Sequence, residues 1–200
     1  MPIPAYMTIS LVNQGEISEG ASDESSIGTK SNEAHADEIQ IQSFRHSVRR
    51  PVDPQSGQPV GPRIHEEMII TKIQDKSSPL FLQALSTGEN IEEATIEWYR
   101  PGEGGKAEHF YSTTIENAIV TRIRSYMPDN KSAEANREAL KRQAEGAAKA
   151  LGLKLVKDEE NPGTFSPQIH MEEITIRYKA ITWTHEIAGT EGTDSWDGEE

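Results

Sequence analysis

The sequence predicts a mainly β domain with one short embedded helix. Three observations carry that prediction. Apolar residues recur at alternate positions in most segments, clusters of Gly, Pro, Asn and Asp separate those segments, and only two stretches read as helical. At 34% hydrophobic and 26% charged residues the chain is polar for a globular protein, whose apolar share is nearer half. Disorder or a thin, strand-rich domain would each explain this, and the regular apolar spacing favours the second.

Taken in order, Tyr6 to Val12 is β-prone, and Gln14-Gly15-Glu16 turns the chain. Residues 18–37, rich in Ser, Glu, Asp, Gly and Ala, read as loop with fragments of strand. Ile39 to Val48 begins apolar on odd positions and continues apolar on even ones from Phe44, the mark of a bulge or a strongly bent strand. A loop with four prolines, Pro51 to Pro62, is too long and too stiff for a simple hairpin, and strand character resumes at Ile64 to Ile73. Ser78-Pro79 starts a helix with Ser78 as N-cap, Leu80, Leu82, Ala84 and Leu85 supply its apolar face, and Gly88 stops it. Ile91 to Tyr99 and Glu108 to Ile115 flank a Gly-rich hairpin turn at Pro101 to Gly105, and Ala118 to Met127 is a further strand. Gln168 to Ile187 is a long β stretch whose apolar phase changes near Lys179-Ala180. About seven strands are expected.

Residues 129–163 differ in character. Ser132 to Ala150 is almost purely helix formers, so a second helix is expected near 132–151, with Leu140, Ala144, Ala147 and Leu151 as its contact face. Its Glu138–Arg142, Lys141–Glu145 and Glu145–Lys149 spacings are i,i+4 charge pairs. The tail from Gly189 to Glu200 is acidic and expected to be mobile. Residues 1–200 are read as one domain carrying the 129–163 insertion.

Composition excludes several classes of function. A net charge of −13 disfavours nucleic acid and anionic membrane surfaces as partners. With no cysteine there is no disulfide, thiolate catalyst or cysteine-ligated metal. No segment approaches the ~18 apolar residues of a membrane helix. Met1 to Tyr6 lacks the pattern of a secretory signal, so any export is expected to proceed without a cleaved signal peptide.

Nothing in the sequence supports an enzyme. Nucleophile elbows, phosphate loops, zinc-protease and dinucleotide motifs are all missing, and no cofactor is implied. His35 with Asp37 and Glu38 has the chemistry of a hard-metal cluster, but no second histidine sits at ligand spacing, so a solvated acidic loop is expected. His46, His65 and His185 are read as packed or hydrogen-bonded. Glu92-Glu93 and Glu172-Glu173 are each read as one or two solvated charges rather than paired catalytic carboxylates, since neighbours on a strand face opposite ways.

Several pieces are more specific than composition. They include the opening Met1-Pro2-Ile3-Pro4-Ala5-Tyr6, Gln14-Gly15, and Ile41-Gln42-Ser43-Phe44 with His46. Asp53-Pro54-Gln55-Ser56-Gly57-Gln58-Pro59 is followed by Arg63 and His65, and then by Ser78-Pro79-Leu80. Trp98-Tyr99-Arg100, Glu108 to Thr114 and Met127-Pro128 come next, and the series closes with Trp183-x-His185, Ala188-Gly189-Thr190 and Asp194-x-Trp196. In that order they resemble the haemolysin-coregulated protein (Hcp) family, the inner-tube component of bacterial type VI secretion systems.

The resemblance implies a β-barrel of two packed sheets with one short helix, forming homohexameric rings that stack into a tube. It implies sheath and spike components as partners, small effector cargo in the pore, and a protein cytoplasmic when assembled and then secreted. It also implies that the loop at Asp53, Gln55, Ser56, Gly57 and Gln58 reaches the next ring. The 129–163 insertion departs from the family pattern, and an effector or cargo-binding element there is the alternative reading. A ligand-binding barrel of the lipocalin kind would explain the strands but not the ordered matches.

Overall fold

The computed structural model describes residues 5–127 and 170–196. The helix expected near 132–151, with Leu140, Ala144, Ala147 and Leu151, lies outside the described residues.

Alternation of apolar and polar side chains builds the strands. In β1 (Ala5–Leu11), Met7, Ile9 and Leu11 are buried while Thr8 and Ser10 are partly exposed. β2 (Gly15–Glu16) folds back on β1. β3 (Ile39–Arg45), the short β4 (Val48–Arg49) and β5 (Ile64–His65), and β6 (Met68–Ile73) follow. After the helix come β7 (Asn90–Pro101), β8 (Ala107–Tyr126), β9 (Met171–Arg177), β10 (Ala180–His185) and β11 (Thr190–Ser195). The sheet runs β11-β10-β8-β7-β1-β3-β6-β9, and an added β8–β9 pairing joins β9 back to β8. Six strands therefore close into a barrel, with β10 and β11 as an outer flap on β8. Its pairs are antiparallel, as in the β1–β7, β3–β6 and β6–β9 ladders.

The expected irregularities have structural counterparts. The pairing of β3 with β6 slips between Ile41 and Ser43, leaving Gln42 as the extra residue of a bulge. The phase change near Lys179 marks the break between β9 and β10, where the chain leaves the barrel for the flap. The β7–β8 turn places Gly104 and Gly105 at φ 76° and 78°, a region that side chains with a Cβ avoid.

Several expectations are corrected. The two strands expected either side of Glu116-Asn117 are one, β8, bent at Asn117 with φ 50°. Asn tolerates the left-handed region, so the strand need not end there. Residues 18–37 contain a helical turn rather than strand fragments: α1 (Glu24–Ile27) is capped by Asp23, whose carboxylate accepts from the Ser26 amide at 2.7 Å.

The main helix, α2, spans Ser78–Thr87 and ends at Gly88 with φ 68°, so Ser78 lies inside it rather than at its cap. Ser77 stands at the N-cap without a side-chain capping bond, and its amide donates to Asp75 at 2.8 Å. The buried face of α2 is Phe81 and Ala84, with Leu80 and Leu85 packed beside them, while Leu82 points outward. Finally, Thr190–Ser195 is no loose tail, because it pairs residue for residue with β10 from His185–Thr190 to Ala180–Ser195. Backbone ladder bonds hold a strand without apolar side chains, which a hydrophobicity pattern does not register.

The barrel interior is filled by side chains, among them Met7, Ile9, Ile39, Ile70, Ile96 and Ile174, each at most 2% exposed. That leaves the inside packed rather than open to a ligand. Beneath the start of α2 lies a charged cluster. Lys72 and Glu172 are cross-strand partners on β6 and β9 and both are 0% exposed. Lys72 Nζ meets Glu172 Oε1 at 2.9 Å and Asp75 Oδ1 at 2.7 Å, and the Ser78 hydroxyl donates to Glu172 at 2.8 Å. Glu172 is thus the buried member of its pair, while Glu173 keeps partial exposure. Glu172 shares the parity of Ile174 and Ile176 and so points inward with them. Glu92 and Glu93 are exposed, as expected.

Candidate functional site

The long proline-bearing loop is an arm built on the short pair β4–β5. Val48 lies opposite His65 and Arg49 opposite Ile64. Pairing continues outward: the Val60 amide donates to the Pro51 carbonyl at 3.0 Å, Val52 bridges Pro59, and the Asp53 amide donates to the Gln58 carbonyl at 2.8 Å. The chain does form a hairpin here, because every donor that crosses it comes from a residue other than proline.

Asp53 organises the tip. Its carboxylate accepts from the Gln55 amide and the Ser56 hydroxyl, each at 2.9 Å, and these bonds hold its pKa below the usual carboxylate value. Gly57 turns the chain at φ 68°. Gln55, Ser56 and Gln58 are exposed, as are Val52 and Val60 at 53% and 63%. Of the five expected stacking residues, Asp53, Ser56 and Gly57 shape the tip, while Gln55 and Gln58 present side chains outward.

At the root of the arm, distant pieces of sequence converge. His65 is buried, with Nδ1 at 2.7 Å from the Tyr178 hydroxyl and Nε2 at 2.9 Å from Asp194 Oδ2. His46 Nε2 reaches the same Tyr178 hydroxyl at 2.6 Å. Arg63 pairs with Asp194 and donates to the Ser195 carbonyl at 2.5 Å, and the Trp196 ring lies 5.8 Å from that of His65. Arg63, His65 and Asp194 therefore tie the arm to β11.

The electrostatics of this root are set by burial and charge. Burial, then the nearby His65, hold the His46 pKa below its ordinary value, with Glu66 opposing. Burial acts to raise the Asp194 pKa, but hydrogen bonds from Arg63 and His65 outweigh it and the net shift is downward. Burial pushes the Tyr178 phenol upward, and Asp194 adds to the effect.

The histidines are packed and hydrogen-bonded, as expected, but their partners were not visible in sequence. Tyr178 was overlooked. Its signal was parity, since it continues the inward series of Ile174 and Ile176. Elsewhere His35 is less solvated than expected: it stacks on Tyr6 at 3.8 Å between centroids and its Nδ1 lies 3.0 Å from Glu38.

One constellation invites a catalytic reading and fails it. The Ser112 hydroxyl donates to Glu186 at 2.5 Å and lies 3.0 Å from His109 Nε2. A nucleophilic serine needs its proton directed at the imidazole and the carboxylate behind that imidazole. Here the carboxylate takes the serine proton itself.

These features define a class: a closed antiparallel barrel with a packed interior, a flap strand and an organised arm. The family model described as "Type VI secretion system effector, Hcp" matches residues 6–185, and the chain belongs to this family. The "Major exported protein" of Pseudomonas aeruginosa is 39% identical over 196 residues, which is 98% of this chain and 96% of that protein. A crystal structure of an Hcp protein aligns with a TM-score of 0.77 at 33% identity, over 96% of this chain and 99% of the other. The secreted protein Hcp3 from Pseudomonas aeruginosa aligns at 0.69 with 34% identity, over 97% and 98% of the two chains.

Proposed function

We propose that this protein is a non-catalytic tube subunit of a type VI secretion system. It forms homohexameric rings, the rings stack, and the tube is exported with small effector proteins in its pore. Sheath and spike components are its partners in the machine. It works from the cytoplasm and is exported through the machine it helps to build.

The observation that carries the reading is the arm. It is a preformed, exposed hairpin, tied at its root to β11 and ordered at its tip by its own hydrogen bonds. A segment already ordered when free loses little entropy on docking, which suits a repeated contact between rings. Asp53, Gln55, Ser56, Gly57 and Gln58 are the contact residues. Residues 129–163 are an ornament that the barrel and ring do not need, a reading supported by the pairing of β8 with β9 that closes the barrel.

Sedimentation of the purified protein should give a species six times the 22.2 kDa chain. A variant with 131–162 replaced by a short Gly-Ser linker should give the corresponding ring. Monomer alone at micromolar concentration would refute ring formation, and a monomeric linker variant would refute the ornament. Replacing residues 53–58 by two glycines should leave rings intact and reduce export to background. Export at the parental level would show that the arm is mere surface.

A further inference from the structure

The hydrogen bonds at the arm's root can be assigned directions, and the assignment has limits. A phenol has one proton to donate, and the Tyr178 hydroxyl has an imidazole nitrogen on each side, His46 Nε2 at 2.6 Å and His65 Nδ1 at 2.7 Å. His65 Nε2 faces the Asp194 carboxylate at 2.9 Å and so carries a hydrogen. With both imidazoles neutral, Tyr178 donates to His65 Nδ1, and His46 Nε2 donates to the phenol oxygen.

One added proton fits. On His46 the pattern is unchanged, and on His65 the phenol turns round and donates to a neutral His46. A second added proton does not fit. Both nitrogens then aim hydrogens at one oxygen, the phenol's own hydrogen has no acceptor on either side, and Tyr178 is only 4% exposed to water. Two cations would also share one oxygen in a poorly solvated site.

We propose that this network is a single-proton latch: it holds the root of the arm on the Tyr178 hydroxyl while His46 and His65 carry at most one positive charge between them, and that hold is lost when both are protonated.

The charged groups around the latch are compatible with this. Glu66 faces His46 but is itself paired with Arg49 at 3.3 Å, and the rings of Phe44 and Trp183 beside His46 are uncharged. Asp194, facing His65, is shared with Arg63. Arg177, next to Tyr178, pairs with Glu67 at 3.1 Å. The depressed His46 pKa means that the folded arm favours neutral imidazole there. Its contribution is present above the ordinary value of 6.5 and is withdrawn as pH falls through the lower folded value. Against the effect of burial, Asp194 is shifted the same way, below its ordinary 3.8, by its bonds to Arg63 and His65.

The latch belongs to one subunit and can be tested apart from the tube reading. The chain has no cysteine, so Gln55→Cys at the arm tip and Glu92→Cys on the barrel wall can carry a unique pair of spin labels. The distance distribution between them should be narrow at pH 7.5 and at least twice as wide at pH 5, reversibly. His46→Gln offers Tyr178 either an N–H or a carbonyl and gains no proton, so its distribution should stay narrow at both pH values. Tyr178→Phe removes the shared hydroxyl and should be broad at both. The latch is overturned by an unchanged width in the parent at pH 5, by equal broadening in His46→Gln, or by a narrow distribution in Tyr178→Phe at pH 7.5.

Discussion

Replacing Lys72 by Met is expected to lower the unfolding free energy by about 3–5 kcal/mol, the range for breaking a buried ion pair from one side. The ammonium lies between Glu172 and Asp75, which are 0% and 4% exposed at their side chains, and nothing else cationic reaches either carboxylate among the described contacts. One positive charge between two negative ones leaves an excess anion, and the first turn of α2, where backbone N–H groups gather, partly offsets it. Removing Lys72 leaves both buried carboxylates without their cation. Denaturant unfolding should therefore show a midpoint shift at unchanged slope, with a melting temperature lower by roughly 10 °C. The double variant Lys72→Met, Glu172→Gln should recover at least half of the loss. A cost below about 1 kcal/mol for the single variant would mean that the cluster holds no uncompensated charge once the lysine is gone.

Asp194→Ala should be the next most damaging single change, at about 1.5–3 kcal/mol, since it deprives both the Arg63 guanidinium and buried His65 of their acceptor. Its effect should depend on pH in a defined direction. The folded-state pKa of Asp194 lies below 3.8, so its contribution is complete above that value and is lost as pH falls through the lower folded one. Parent and variant stabilities, compared by denaturant unfolding, should thus differ most near neutrality and converge in strong acid. A difference that grew on acidification would contradict the assigned role.

Much of this architecture was legible from period and punctuation. The bulge at Gln42, the break at Lys179 and the stop at Gly88 each left a local mark: a phase change, a second phase change, and a glycine after an apolar run. What was misread needed information from across the sheet. Glu172 is in phase with Ile174, but only its strand partner Lys72 reveals that it has a counterion. β11 carries no apolar signal, since backbone pairing with β10 holds it. The tip of the arm was recognisable as a place of interest, whereas its root is assembled from positions 46, 63, 65, 178 and 194, which no local pattern connects.

The flap has a consequence for behaviour in concentrated solution. Among the described residues β11 ends the sheet with no strand on one of its flanks, and an unpaired flank is a template on which another chain can grow. Its sequence, Thr190-Glu191-Gly192-Thr193-Asp194-Ser195, resists that use. It is short, lacks any large apolar side chain, breaks its own stiffness with a central glycine and carries two carboxylates. Ordered cross-β stacking would bring like charges together about every 4.8 Å along a growing fibril. The same composition that hid this strand from a hydrophobicity pattern makes it a poor seed for aggregation.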